Sequence, residues 1–145
     1  MNTPKILGFT LLAISLVFGV IFYENIQKPI DFQGYFQKSY YSQFGPIAIC
    51  VELFIAGYYL FQRSKKANFA MALFGFTAIL DILFHITGLL SSGVPVYGMI
   101  TFVICAALGF YISFSNAFDL GKITLKGTLV SFIMGNAVEL FFNFY

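Results

Sequence analysis

Five long apolar stretches divide the sequence, and short polar segments separate them. A helix that crosses the hydrocarbon core of a bilayer needs about 20 mostly apolar residues, and each stretch approaches or exceeds that length. The pattern predicts an all-α integral membrane protein, a compact bundle of five transmembrane helices in a single transmembrane domain over residues 1–145. The predicted helices cover residues 6–23, 46–62, 69–90, 96–118 and 127–144.

The amino-acid composition also indicates that the folded chain is surrounded by lipid rather than water. The chain is 59% hydrophobic and 10% charged, with a mean hydropathy of +0.86, whereas a typical soluble domain carries about 25% charged residues. The net charge of +2 is too small to indicate nucleic-acid binding. Cys50 and Cys105 lie inside apolar runs without the spacing of a metal or redox site, so both are interpreted as small buried residues.

The basic residues predict an orientation. Cytoplasmic loops are enriched in lysine and arginine, and the alternation of five helices separates the basic residues unequally between the two sides. This predicts a cytoplasmic N-terminus and an external C-terminus. One side receives Lys5, Arg63, Lys65, Lys66, Lys122 and Lys126, and the other receives Lys28 and Lys38.

The first apolar stretch is interpreted as a retained anchor. Lys5 precedes it, as in a signal peptide, but residues 19–24 lack the small-residue pattern of a cleavage site. With no further targeting segment apparent, the sequence favours a bacterial plasma membrane, with membrane lipid as the expected partner.

The longest connection, residues 24–45, is unusually aromatic. Aromatic rings favour the headgroup level of a bilayer, so the connection is predicted to be external and interfacial, either as part of an aromatic belt or as a lid over an outward-facing pocket. Its rings are Phe32, Tyr35, Phe36, Tyr40, Tyr41 and Phe44.

Small and polar residues recur at steps of four along the predicted helices. Residues four apart share a helix face, and small or polar faces are expected to pack against other helices rather than lipid. The stripes are Ser15 and Gly19; Ala48, Glu52 and Ala56; Thr77, Asp81 and His85; Thr101, Cys105, Gly109 and Ser113; and Gly127, Ser131, Gly135, Glu139 and Asn143.

Four ionisable members of these stripes fall in the outer half of the predicted bundle. At 1.5 Å of rise per residue, Glu52, His85 and Glu139 lie roughly 8 to 9 Å from the outer ends of their helices, and Asp81 about one turn deeper. A charge in hydrocarbon costs at least ~2.5 kcal/mol, so their grouping requires an explanation. Asn136 and Tyr97 are possible hydrogen-bonding neighbours.

Three interpretations of this group remain open. The side chains could satisfy one another in a structural network, with neutral carboxyl groups. They could instead line a pocket for a ligand or a proton. A metal site is the third possibility, because His85, Asp81 and Glu52 offer ligand types that iron, manganese or zinc accept. The sequence identifies no cofactor.

Four positions resemble the EXPERA group of membrane proteins, which includes sterol isomerases. Glu24 ends the first helix and Glu52 lies in the outer part of the second, and Val96 and Tyr97 open the fourth. The resemblance covers only these positions and does not assign the chain to that group. It implies that lipid or sterol-like ligands are among the candidates.

The leading functional hypothesis is a small membrane protein that binds an amphipathic or lipid-like molecule at Glu52, Asp81, His85 and Glu139, with Asn136 and Tyr97 nearby. Alternatives are a membrane-embedded acid/base or metal-dependent enzyme, an oligomeric proton-coupled transporter or channel, and a subunit of a larger membrane complex. Whether the chain is an enzyme stays open, because no nucleophile motif, redox cysteine pair or phosphate loop is apparent.

Overall fold

A computed structural model describes residues 2–144, and within this range the regular structure is entirely helical. Five of the helices are long and apolar enough to cross a membrane, which confirms the five predicted helices. Met1 and Tyr145 lie outside the described residues. The helices are α1 (Thr3–Glu24), α2 (Lys38–Tyr41), α3 (Gly45–Phe61), α4 (Lys66–Ile86), α5 (Val96–Ser115) and α6 (Leu125–Phe144).

Two helices end earlier than the sequence pattern suggests. The apolar run continues to Leu90, but α4 ends at Ile86, and Gly88 then takes a left-handed φ of 76°, which glycine adopts without steric cost. Helix α5 ends before Asn116, whose φ is 53° and whose side-chain Oδ1 accepts a hydrogen bond from the Gly121 N–H at 2.7 Å. Hydrophobicity alone does not mark these backbone-determined ends.

Helix α4 is the centre of the bundle and packs against α3, α5 and α6, while α1 packs mainly on α3. The α1–α3 crossing is close because both helices have glycine there. A Cβ atom on Gly8 would lie 2.5 Å from the Phe61 nitrogen, and one on Gly57 would lie 3.0 Å from the Gly8 oxygen. Small residues at such crossings let two backbones approach each other.

An aromatic cluster joins α1, α4 and α5 in the core. The Phe102 ring on α5 packs edge-on against Phe22 of α1 and Phe74 of α4, with centroid separations of 6.3 and 5.9 Å. Phe18 contacts the same ring at 5.7 Å. Edge-to-face geometry is favourable for aromatic rings, so this cluster connects α1 to α5.

The bundle has two distinct ends. The start of α1 and the connections 62–65 and 116–124 form what we call the basic end, because it carries Arg63, Lys65 and Lys122. The connections 25–44 and 87–95 and the end of α6 form the aromatic end.

The connection 25–44 folds into short helical turns at the aromatic end. A 3-10 turn spans Gln33–Phe36, α2 follows, and a second 3-10 turn spans Ser42–Phe44. The Gln27 and Gln43 residues join its two ends through reciprocal hydrogen bonds of 2.7 and 3.1 Å. Phe32 and Phe36 remain 78% and 66% exposed.

Candidate functional site

On α5 and α6, the stripes of small and polar residues face the interior of the bundle. On α6, Ser131, Gly135 and Glu139 are buried at successive steps of four. On α5, Cys105, Gly109 and Ser113 are buried in the same way. The predicted packing faces of these two helices are therefore confirmed. Cys50 and Cys105 are free and buried, as expected for apolar packing residues.

Asp81 of α4 and Glu139 of α6 form a carboxyl pair. Their side chains are in hydrogen-bonding contact, and Glu139 is only 4% exposed. An ionised carboxylate can only accept hydrogen bonds, so a bond between two carboxyl groups requires one proton. Asn143, one turn further along α6, also donates to Glu139 Oε2 at 3.4 Å.

Ser92 connects this pair to the loop at the aromatic end. Its hydroxyl group donates to Asp81 Oδ2 and accepts a hydrogen bond from the Val94 N–H at 3.1 Å. Its own backbone N–H donates to Nδ1 of His85 at 3.2 Å. The loop between α4 and α5 thus folds back over Asp81 and fixes its orientation.

Glu52 of α3 lies about one turn deeper than the carboxyl pair. Its side chain contacts the hydroxyl group of Thr77, which is four residues before Asp81, and it is close enough to Glu139 for electrostatic repulsion. One carboxyl oxygen, Oε2, is buried and has no hydrogen-bond partner among the described residues. Such a group costs free energy unless something else satisfies it.

The order of depths differs from the sequence-based expectation. Asp81 lies level with Glu139, and Glu52, rather than Asp81, is the deepest carboxyl group. His85 is solvent-exposed in the last turn of α4. The reason is the early end of α4 at Ile86, because a helix shorter by four residues places Asp81 and His85 about 6 Å nearer to the aromatic end.

Asn136 and Tyr97 lie apart from these contacts. The Asn136 side chain donates to the backbone oxygen of Phe132 on its own helix at 2.9 Å. The Tyr97 ring is 52% exposed and packs on Phe18 of α1 at a centroid separation of 5.9 Å. The structure places Glu52, Asp81 and Glu139 together and leaves these two residues at other positions.

Within the described part of the chain, the three carboxyl groups lack a strong cationic partner. Among residues 2–144, the only basic side chain that influences any of them is His85, which acts on Asp81. Within the same range no group of three or more histidine, cysteine, aspartate or glutamate side chains is arranged to hold a metal ion. The geometry therefore adds nothing to the metal hypothesis.

An apolar groove opens beside Glu52, between α3 and α6. Both helices pack on α4 and have only limited contact with each other, which leaves a cleft of about 400 Å³ with Glu52 as its one charged lining residue. The groove extends from Glu52 toward the aromatic end. Its other lining residues are Phe44, Ile47, Ala48, Val51, Val138 and Phe142.

Three contact residues were not among the predicted site residues. Thr77 and Asn143 belong to the predicted stripes, so their periodicity already placed them on the right faces. Ser92 lies in a loop, where helical periodicity gives no information. The only sequence signal for it is a short polar segment directly after the helix that carries Asp81 and His85.

Comparison with protein-family models, curated proteins and solved structures finds no match to this chain. The fold defines an integral membrane protein built as a bundle of five apolar helices, and its function must be argued from the site itself.

Proposed function

We propose that the protein binds a small amphipathic or lipid-like molecule in the outer half of the membrane, with the polar part of the molecule at Glu52, Asp81 and Glu139. The observation that carries this proposal is that Glu52 lines an apolar groove and that its buried Oε2 has no hydrogen-bond partner among the described residues. A buried polar atom without a partner is rare in folded proteins. A carboxyl group beside an apolar groove is suited to an amphipathic ligand, because both parts of the molecule find complementary surfaces.

The proposed orientation follows from the charges at the two ends. Six of the eight basic residues belong to the basic end, which the positive-inside rule assigns to the cytoplasm. The N-terminus would then be cytoplasmic, and the carboxyl groups and the groove would face the outer leaflet. A bacterial plasma membrane is the proposed location.

Hydrogen bonding by the buried hydroxyl groups of the bundle favours binding over conduction. The buried hydroxyl groups of Ser113 and Ser131 donate to the backbone oxygens of Asn68 and Thr128. The hydroxyl group of Thr77 likewise donates to the backbone oxygen of Leu73. These groups satisfy the helices and their packing, so they do not supply a continuous polar path toward the basic end.

The experiment that tests binding uses native mass spectrometry of the protein extracted in mild detergent. Ala48→Phe fills the groove between α3 and α6, and Ala107→Phe adds the same bulk at an exposed position on α5. We expect a non-covalent adduct lighter than a phospholipid on the wild-type protein and on A107F, and its loss from A48F. Identical adduct patterns on all three proteins would contradict the proposal.

A further inference from the structure

We infer that the occupant of the groove between α3 and α6 is a single-chain amphiphile with a protonated amine at its polar end, and that this amine pairs with Glu52. The inference rests on the proposed function and adds the chemical class of the ligand. It depends on the size of the groove, on the charges around it and on its direction within the bundle.

The size of the groove favours a small occupant. Its volume of about 400 Å³ is near the lower limit of ligand pockets, which range over roughly 300–1,000 Å³. Ala48 contributes a small side chain to its wall, while Phe44 and Phe142 border its outer part. One chain fits such a cleft, and the two acyl chains of a phospholipid do not.

The charges around Glu52 favour a cation. Glu52 lies near the acidic side chain of Glu139, which in turn contacts Asp81, and no lysine or arginine is among the groups that act on Glu52 within residues 2–144. An anionic polar group would be repelled by these carboxyl groups. An alcohol would donate one neutral hydrogen bond to the Glu52 carboxyl group, whereas an ammonium group would donate a charge-assisted bond, which is roughly twice as strong.

The direction of the groove orients the ligand. Glu52 lies at the deep end of the groove, and the apolar lining continues from there past Val138 toward Phe142 at the aromatic end. The amine would therefore lie deepest, against Glu52, and the chain would extend outward between α3 and α6. Because the groove is open at the side, the molecule would enter from the surrounding lipid.

The absence of tryptophan from the sequence provides a sensitive test. A single tryptophan at the outer part of the groove, Phe142→Trp or Val138→Trp, reports bromine quenching by a chain bound there. Ile100→Trp, on the exposed face of α5, reports partition into lipid alone. The probes are 12-bromododecylamine and 12-bromododecanol, compared at pH 7 in discs of neutral phosphatidylcholine.

We expect saturable quenching of both groove reporters by the amine, at a concentration at least about tenfold below that required for the alcohol, as one charge-assisted hydrogen bond implies. Glu52→Gln should remove this difference, and Glu24→Gln, at the end of α1, should preserve it. Ile100→Trp should show equal, non-saturable quenching.

The alternative outcomes separate the inference from the proposed function. Saturable quenching that is equal for amine and alcohol would overturn the amine assignment and leave amphiphile binding intact. Quenching of the groove reporters that is no different from that of Ile100→Trp would overturn both.

Discussion

Asp81 on α4 and Glu139 on α6 share a hydrogen bond between two parallel helices that are separated by α5 in the sequence. The same pair is joined to the loop between α4 and α5 through Ser92. A carboxyl pair of this kind holds the two helices in register beside the groove that Glu52 borders. A variant that removes the acid function of Asp81 therefore differs from one that removes its hydrogen bonds.

Asp81→Asn should separate these two effects. The amide can donate to Glu139 and accept from Ser92, so we expect its free energy of unfolding in detergent to stay within about 1 kcal/mol of wild type. Asp81→Ala removes both hydrogen bonds and should lower the free energy of unfolding by about 1 to 3 kcal/mol. Asp119→Asn, at an exposed residue, is the matched control. Equal losses for D81N and D81A would show that the charge itself holds the helices together.

The crossing of α1 and α3 gives a prediction about packing. Gly8→Ala places a methyl group 2.5 Å from the Phe61 nitrogen and should destabilise the bundle by about 1 to 3 kcal/mol, the usual cost of overpacking. Gly19→Ala is the control on the same helix, because its new methyl group would meet Cys50 Cβ at an ordinary 3.9 Å. Thermal unfolding in detergent compares the two variants, and equal midpoints would contradict the close approach.

At the basic end, Asn68 fixes the connection between α5 and α6. Its side-chain amide donates to the backbone oxygens of Leu120 and Gly121 at 2.8 and 3.1 Å, and Asn68 is 5% exposed. Asn68→Ala leaves both backbone oxygens without this donor and should lower the free energy of unfolding by about 1 to 3 kcal/mol. Hydrogen exchange should then increase first in residues 116–124. Asn25→Ala, at an exposed end of α1, is the control and should change little. Unchanged exchange in N68A would contradict this role.

The proposed orientation is tested by labelling introduced cysteines in intact cells. The native Cys50 and Cys105 are buried, so their background reaction should be low. An impermeant maleimide should label Ser91→Cys at the aromatic end and spare Lys65→Cys at the basic end. Both positions are exposed, so a difference reports the side of the membrane. Labelling of position 65 without labelling of position 91 would contradict the proposed orientation and indicate the opposite one.

Periodicity in the sequence predicted the helices and their interior faces, because lipid requires long apolar stretches and close packing requires small residues. Buried Ser131 and Gly135 follow directly from their steps of four. The depth of Asp81 did not follow, since the backbone leaves the helix at Gly88 while the sequence remains apolar. Ser92 and the groove could not be predicted, because both depend on how a loop folds back and on which helices α4 keeps apart.

The central claim is that Glu52 serves a ligand rather than the stability of the fold, and the most direct measurement is the unfolding free energy of Glu52→Gln with and without 12-bromododecylamine. Since Oε2 has no hydrogen-bond partner among the described residues, the free energy of unfolding of the variant should lie within about 1 kcal/mol of the wild-type value. The amine should stabilise the wild-type protein increasingly with concentration, as binding to the folded state requires, and should not stabilise E52Q. A loss of more than about 2 kcal/mol in E52Q without ligand, with equal stabilisation of both proteins by the amine, would contradict the claim and identify Glu52 as a structural residue.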